Sequence, residues 1–165
     1  MPSAASEQIL VVATRTAPCV ELVNALADRA ERAPARFHLV VPATPYGWAW
    51  LADMYSGGVD AARYLSAAIT RYRSAGLDVG SARVGDPDPM AAVMDALGTS
   101  DYDGIVVSTL PRHLSAWLRL DLPHRLRSVT GLPVTHVVGT QARLSTRPHA
   151  RTSIRARVRP ESAEL

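Results

Sequence analysis

Ile9-Leu10-Val11-Val12-Ala13 is an unbroken apolar run, β-branched at three of its five positions. A strand with one face in water alternates apolar and polar residues. A run without alternation suits a strand covered on both faces, as in a parallel sheet. Gly104-Ile105-Val106-Val107-Ser108 has the same character far along the chain, so two buried central strands are expected, with crossover segments between them.

Reading outward, Thr14-Arg15-Thr16 leads into Ala17 to Arg32, where Val20, Leu22, Val23, Leu26 and Ala30 fall at helical spacing and Pro18 suits a first turn. Phe37 to Val41 reads as a second strand. Pro42, Pro45 and Gly47 turn it into a loop carrying Tyr46, Trp48 and Trp50, which Gly57-Gly58 closes. Val59 to Ala75 reads as an amphipathic helix through Ala62, Leu65, Ile69 and Tyr72, capped by Gly76. Asp78 to Val84 makes a third strand. An aspartate of Gly85-Asp86-Pro87-Asp88-Pro89 caps the next helix, whose apolar face is Met90, Val93, Met94 and Leu97. After the fourth strand, Leu114, Trp117 and Leu118 mark a short helix, and Asp121-Leu122-Pro123 reads as the capped start of another, with Asp121 as the cap, that ends at Thr130-Gly131. Pro133 to Val138 is the last strand.

Strands alternating with helices require right-handed parallel crossovers. The expected fold is a three-layer α/β/α sandwich around a five-stranded parallel sheet, doubly wound and Rossmann-like. It spans residues 1–139. Beyond Gly139 almost nothing is apolar, so residues 140–165 are expected to be a disordered, solvated tail.

The chain has 165 residues, enough for a core that needs no disulfide or metal, and 47% of them are hydrophobic. No stretch approaches a membrane span and Met1 to Gln8 lacks a signal-peptide pattern, so a cytoplasmic protein is expected. The single cysteine, Cys19, forms no internal disulfide, and no His or Cys cluster has metal-ligand spacing. All 18 basic residues are Arg, which reads as coding bias. Charge is uneven: 12 Arg face 13 acidic residues through Gly139, whereas 6 Arg face 2 Glu from Thr140 onward. The tail thus sets the pI of about 9.5.

In an open parallel sheet, ligands bind beyond the carboxyl ends of the strands where the winding reverses. Those ends carry Thr14, Arg15 and Thr16, then Pro42 to Thr44, then Ser108, Thr109, Arg112 and His113. Hydroxyls, two Arg and a helix start suit a small anion. The plainer reading is that the hydroxyls satisfy loop backbone and the Arg are solvated. Within Ser108 to Arg125, Arg112, His113 and Arg125 would hold an anionic group, or else Trp117, Leu118 and Leu120 merely pack the loop down and Asp121 pairs with an Arg. His38 and His136, inside strands, read as structural, and no nucleophile or carboxylate lies at a telling spacing from any histidine. Cys19, near a helix start, reads as a helix residue rather than a thiol of lowered pKa. The Arg-rich tail has no aromatic for base stacking, so nucleic acid is not the expected partner.

Several stretches, in order, resemble the universal stress protein family: Ile9 to Thr14, Val84-Gly85-Asp86-Pro87, Tyr102-Asp103-Gly104-Ile105-Val106-Val107-Ser108 and Gly131-Leu132-Pro133-Val134. The resemblance implies an adenine-nucleotide site at Thr14, Arg15, Val41, Ser108, Thr109, Arg112, His113 and Asp121. It also implies a homodimer paired through the fifth strand, with the Val137 N–H in that edge. The family's ATP-binding members have an aspartate where Thr14 stands and glycines where Ser108, Pro111 and Asp121 stand. Those glycines let backbone N–H groups approach phosphate, and Pro111 has none. The expectation is a universal-stress-type regulatory or ligand-binding protein with a degraded ATP motif, stress-related and not an enzyme. The alternatives are ATP or adenine-nucleotide binding through an altered loop, and a small hydrolase or transferase of the same fold.

Overall fold

The computed structural model describes residues 5–44, 56–111, 114–115, 117 and 121–141. In chain order the elements are β1 (Glu7–Ala13), α1 (Val20–Arg32), β2 (Ala35–Pro42), α2 (Ser56–Ser74), β3 (Asp78–Gly85), α3 (Pro89–Leu97), β4 (Gly104–Thr109), α4 (Leu122–Thr130) and β5 (Val134–Val138). All strands pair in parallel, in the order β3-β2-β1-β4-β5. The expected doubly wound five-stranded sheet is therefore the observed one.

The non-alternating runs are explained by two cores. Ile9, Val11 and Ala13 of β1 join Phe37, Leu39 and Val41 of β2 beneath α1 and α2, while Leu10 and Val12 join Val40, Ile105 and Val107 beneath α3 and α4. Because successive side chains of a strand point to opposite faces, a strand buried on both faces must be apolar at every position. The winding accounts for the sorting. Crossovers β1-α1-β2 and β2-α2-β3 move one way across the sheet, and the next two move the other way, so each pair of helices shares a face.

Several helix details differ from the sequence reading. α1 begins at Val20, because Ala17 and Cys19 instead close turns onto the carbonyls of Thr14 and Thr16 (3.0 and 2.9 Å) and Cys19 becomes the N-cap, its sulfur accepting from the Leu22 N–H. Val20, expected on the buried face, is 58% exposed. α2 starts at Ser56, so Gly57 and Gly58 lie in its first turn rather than closing a loop; those N–H groups need no intrahelical partner there. Its buried residues are Ala61, Tyr64, Ala68 and the expected Tyr72; Leu65 and Ile69, also expected, are half-buried at the border of the stripe, and Ala62 is exposed. Gly76 has φ +76, the left-handed cap expected of it. Asp88 caps α3 through the Met90 N–H at 2.7 Å, while Met94, expected on its buried face, is exposed.

Edge strand β5 pairs with β4 alone among the described strands, and the Val134 carbonyl on its other side accepts from Arg127 Nη2 at 2.9 Å. The Ile105 N–H donates to the Pro133 carbonyl at 2.9 Å and the Gly139 N–H to the Thr109 carbonyl at 2.8 Å. Both backbone groups of a residue in a parallel strand point to the same side, alternating along the chain, so the Val137 N–H faces β4. Its expected place in the free edge is corrected: Val134, His136 and Val138 face outward.

Candidate functional site

The strand order reverses between β1 and β4, whose carboxyl ends stand side by side with Ala13 opposite Ser108. The loop after β1 is packed rather than open. Thr14 and Arg15 are half-buried, and Thr16, Ala17, Pro18 and Cys19 are buried. Two side chains of α2 hold it from outside the loop: Tyr72 Oη donates to the Ala17 carbonyl at 2.8 Å and Arg71 Nη1 to the Pro18 carbonyl at 2.5 Å. Burial pushes the Tyr72 phenol far above its ordinary range, so it stays a neutral donor.

Gly139 leaves β5 across this loop. A Cβ at Gly139 would stand 2.5 Å from Cys19 Sγ and 3.4 Å from Thr16 Cβ, so only glycine allows the approach. Thr140 then donates its hydroxyl to the Glu21 carboxylate at 3.2 Å. The Glu21 carboxyl is held below its ordinary range, first by its own backbone N–H at the start of α1 and then by Cys19 and Thr140. Burial raises the Cys19 thiol instead, so helix capping, not thiolate chemistry, is its observed role.

The candidate hydroxyls after β4 divide between the two faces. Ser108 has the parity of Val106, placing its side chain on the α1/α2 side, where it is 0% exposed and its Oγ has no hydrogen-bond partner among the described residues. Thr16 Oγ1 is likewise buried and without a partner among the described residues. Thr109 takes the opposite face. Its Oγ1 donates to the Leu110 carbonyl at 3.0 Å and stands 2.8 Å from His136 Nε2. The hydroxyl has one proton for these two contacts, and when it goes to Leu110 the bond to His136 is donated by the Nε2–H tautomer. Burial lowers the His136 pKa, so the neutral imidazole is the favoured form.

Val41, at the end of β2, is fully buried in the α1/α2 core, so a ligand could meet only its backbone. Nearby, Thr44 Oγ1 donates to the Pro87 carbonyl at 3.0 Å. Asp121 sits at the N-cap of α4 with φ 51 and ψ 43, the only non-glycine residue of positive φ among those described, and its side chain makes no cap bond. The expected side-chain cap is corrected: the left-handed backbone turns the carboxylate away from the first N–H groups. Arg112 and His113 lie outside the described residues, as do Tyr46, Trp48, Trp50, Leu118 and Leu120. Trp117 is buried in the α3/α4 core against the region of Leu122 and Leu126, and His124 and Arg125 are exposed on α4.

The structure thus brings Thr14, Arg15, Ser108 and Thr109 to one reversal point and leaves Val41 behind it in the core. Tyr72, Gly139 and His136 complete the site's frame. The sequence marks His136 as a strand histidine and Tyr72 as a helix core residue, but Tyr72 meets Ala17 across 55 residues, which no local pattern reveals.

No family model and no curated protein matches the chain. Among solved structures, it is similar to a universal stress protein in complex with cAMP, with TM-score 0.53 and 16% identity over 82% of this chain and 100% of that one. It is also similar to the universal stress protein of Archaeoglobus fulgidus, with TM-score 0.55 and 15% identity over 79% of this chain and 93% of that one. The same archaeal protein in complex with dAMP gives TM-score 0.54 and 17% identity, covering 79% and 97%. The fold is that of universal stress proteins, as the resemblance in sequence implied.

Proposed function

We propose that this chain is a universal-stress-type regulatory or ligand-binding protein whose site, at the carboxyl ends of β1 and β4, takes a small anion or an adenine nucleotide. The observation that carries the reading is the reversal of strand order between β1 and β4, with Thr14, Arg15, Ser108 and Thr109 at that point. Two structures sharing the fold are complexes with cAMP and dAMP, which supports an adenine nucleotide as the ligand class.

Affinity for ATP is weaker here than where glycines line the phosphate path. Pro111 has no N–H to offer, Ser108 turns into the core, and Asp121 adds an exposed negative charge. The alternative, ATP binding through an altered loop, is favoured by one observation: Asp121 keeps a left-handed backbone of the kind glycine adopts freely. Calorimetry with ATP and AMP separates the two.

Binding rather than catalysis is the proposed activity. Thr109 and His136 pair as a hydroxyl and an imidazole, yet Thr109 is buried and its hydroxyl also bonds the Leu110 carbonyl. That is not the arrangement of an activated nucleophile. A small hydrolase or transferase would require Thr109 to be freed. No described helix is long and apolar enough to cross a membrane, in keeping with a cytoplasmic protein of the stress response. The free edge of β5 suits pairing with a second copy across a two-fold axis. Mass spectrometry of the purified protein tests the ligand class: a co-purified adenine nucleotide supports it, and a different bound molecule overturns it.

A further inference from the structure

On the α3/α4 face of the sheet, in the amino-terminal half of its strands, a serine, a histidine and a glutamine from three different strands are bonded in series. Ser81 Oγ stands 2.8 Å from His38 Nδ1, His38 Nε2 stands 2.8 Å from Gln8 Oε1, and Gln8 Nε2 donates to the Ser6 carbonyl at 2.8 Å. The last bond settles the protons of the whole series. A carbonyl only accepts, so the amide nitrogen of Gln8 must face Ser6 and its oxygen must face His38. That oxygen requires an Nε2–H, which leaves the Nδ1 lone pair to accept the Ser81 hydroxyl proton. A hydroxyl, a base and an orienting amide follow one another as the roles do in a Cys-His-Asn protease site.

A β-bulge makes the arrangement. Phe37 pairs with Val79 but His38 pairs with Ser81, so Gly80 is the extra residue of β3. In an unshifted register Gly80 would stand opposite His38, and Ser81 would turn to the α1/α2 side. Gly80 also gives the imidazole room: a Cβ there would stand 2.5 Å from His38 Cε1 and 2.8 Å from Arg36 Cδ. The Tyr102 ring meets His38 edge-on, with centroids 5.3 Å apart and planes at 73°. Gln8, His38 and Tyr102 are half-buried, whereas Ser81 is exposed and open to a substrate. Burial, helped by the Arg36 charge and opposed by Asp78, lowers the His38 pKa, so the imidazole is neutral near neutral pH. Arg83, the next residue of β3 on this face, adds an exposed positive charge for a developing oxyanion.

We propose that Ser81 is a nucleophile that takes a short acyl group from a carboxylic ester, with His38 as its general base and Gln8 as the positioning residue. Ser81 Oγ bonds to the ester carbonyl carbon as its proton passes to His38 Nδ1. Collapse of the tetrahedral adduct breaks the carbon–oxygen bond of the ester, and the departing alcohol takes that proton. Water then attacks acyl-Ser81 and gives a proton to His38, the carboxylic acid leaves, and His38 returns the proton to Ser81 Oγ. The serine sits on an exposed edge strand rather than in an enclosed pocket, which suits a short acyl group. The inference goes beyond the ligand site at the carboxyl ends of β1 and β4, which keeps its binding role and shares no residue with this one.

The test incubates the full chain with p-nitrophenyl acetate, follows release of p-nitrophenolate and locates the acetyl group by peptide mass spectrometry. The chain has no lysine, so side-chain amines cannot compete. The native protein should carry the acetyl group on Ser81. Ser81→Ala, a change at an exposed position, and His38→Gln should each release p-nitrophenolate at least about tenfold more slowly, with melting temperatures confirming that both are folded. Gln8→Leu should slow release and Gln8→Glu restore it. Gln8→Glu should also move the midpoint of the pH–rate profile upward, because a carboxylate beside the ring favours the imidazolium; the native midpoint lies below the ordinary 6.5. Release by Ser81→Ala within about twofold of the native rate, or acetyl groups found only elsewhere, overturns the inference. A pH midpoint that Gln8→Glu leaves unmoved overturns the role of Gln8.

Discussion

Tyr72 Oη, buried in α2, donates to the carbonyl of Ala17 at 2.8 Å and so ties the last turn of that helix to the loop that follows β1. Together with Arg71 on Pro18, it fixes Thr14 and Arg15 from behind. Tyr72→Phe keeps the ring but strands a buried carbonyl, at a cost of about 1–3 kcal/mol. The urea midpoint should fall, and ligand affinity should fall with it because the loop loses its anchor. An unchanged midpoint would show that the bond contributes nothing.

Ser108 Oγ is the opposite case, a buried hydroxyl without a partner among the described residues. Ser108→Ala removes a desolvated polar atom while keeping the Cβ, so stability should rise, by about 1 kcal/mol. Thr109→Val, by contrast, should destabilise, because it leaves His136 and Leu110 unpaired. Thermal melts of the two variants on opposite sides of the native protein are the expected result.

The two strand histidines give the fold a pH dependence of known sign. His38 bonds Ser81 and Gln8 at 2.8 Å each; burial lowers its pKa first, the Arg36 charge adds to this, and Asp78 opposes it. His136 is lowered by burial alone. A histidine whose pKa is depressed by folding binds its proton more readily in the unfolded chain. The unfolded state therefore gains protons first as pH falls below the ordinary value of 6.5, and stability drops from there until the folded pKa values are passed. Urea unfolding between pH 7.5 and 5 should show this fall, and His38→Gln with His136→Gln should flatten it. A native protein more stable at pH 5.5 than at 7.5 would reverse the sign.

How much of this was legible in the sequence depended on the range of the interaction. Ile9 to Ala13 and Gly104 to Ser108 declared a doubly covered parallel sheet, because burial on both faces leaves no room for alternation. Local caps were equally readable: Asp88 and Gly76 do what their residue types predict. The stripe of α2 is legible at Tyr72 but not at Tyr64, which can be assigned to the core only once its neighbours are known. Thr14, Ser108 and Thr109 were placed correctly at the strand ends, yet the face each hydroxyl takes follows from strand parity against a core not yet visible. The partnership of Gly139 with Cys19 spans most of the chain and has no sequence signal at all.

Asp121 carries a left-handed backbone without using its carboxylate as a cap. For a residue with a Cβ that conformation costs on the order of 1 kcal/mol, a penalty glycine escapes while losing about as much to chain entropy. Asp121→Gly should therefore leave stability nearly unchanged and, by removing a negative charge from the phosphate path, raise ATP affinity several-fold. Calorimetric titration of both proteins checks this, and tighter binding by the native chain would show that Asp121 is not on the path.

The alternation of β5 determines how its proposed role in dimerisation is tested. Thr109 and Ile105 fix the inward groups as those of Pro133, Thr135, Val137 and Gly139, so Val138 presents its N–H to the free edge and its side chain is 49% exposed. Val138→Pro removes an outward donor and inserts a ring into that edge without opening the β4–β5 ladder. If a second copy pairs there, Val138→Pro should elute and scatter light as a monomer with only a small loss of melting temperature. Val137→Pro makes the control. It deletes a ladder hydrogen bond and leaves a carbonyl of β4 unpaired, costing about 1–3 kcal/mol whether or not a dimer forms. A Val138→Pro protein that remains dimeric would move the contact away from β5, because no antiparallel ladder could form past the proline while the rest of the subunit stayed intact.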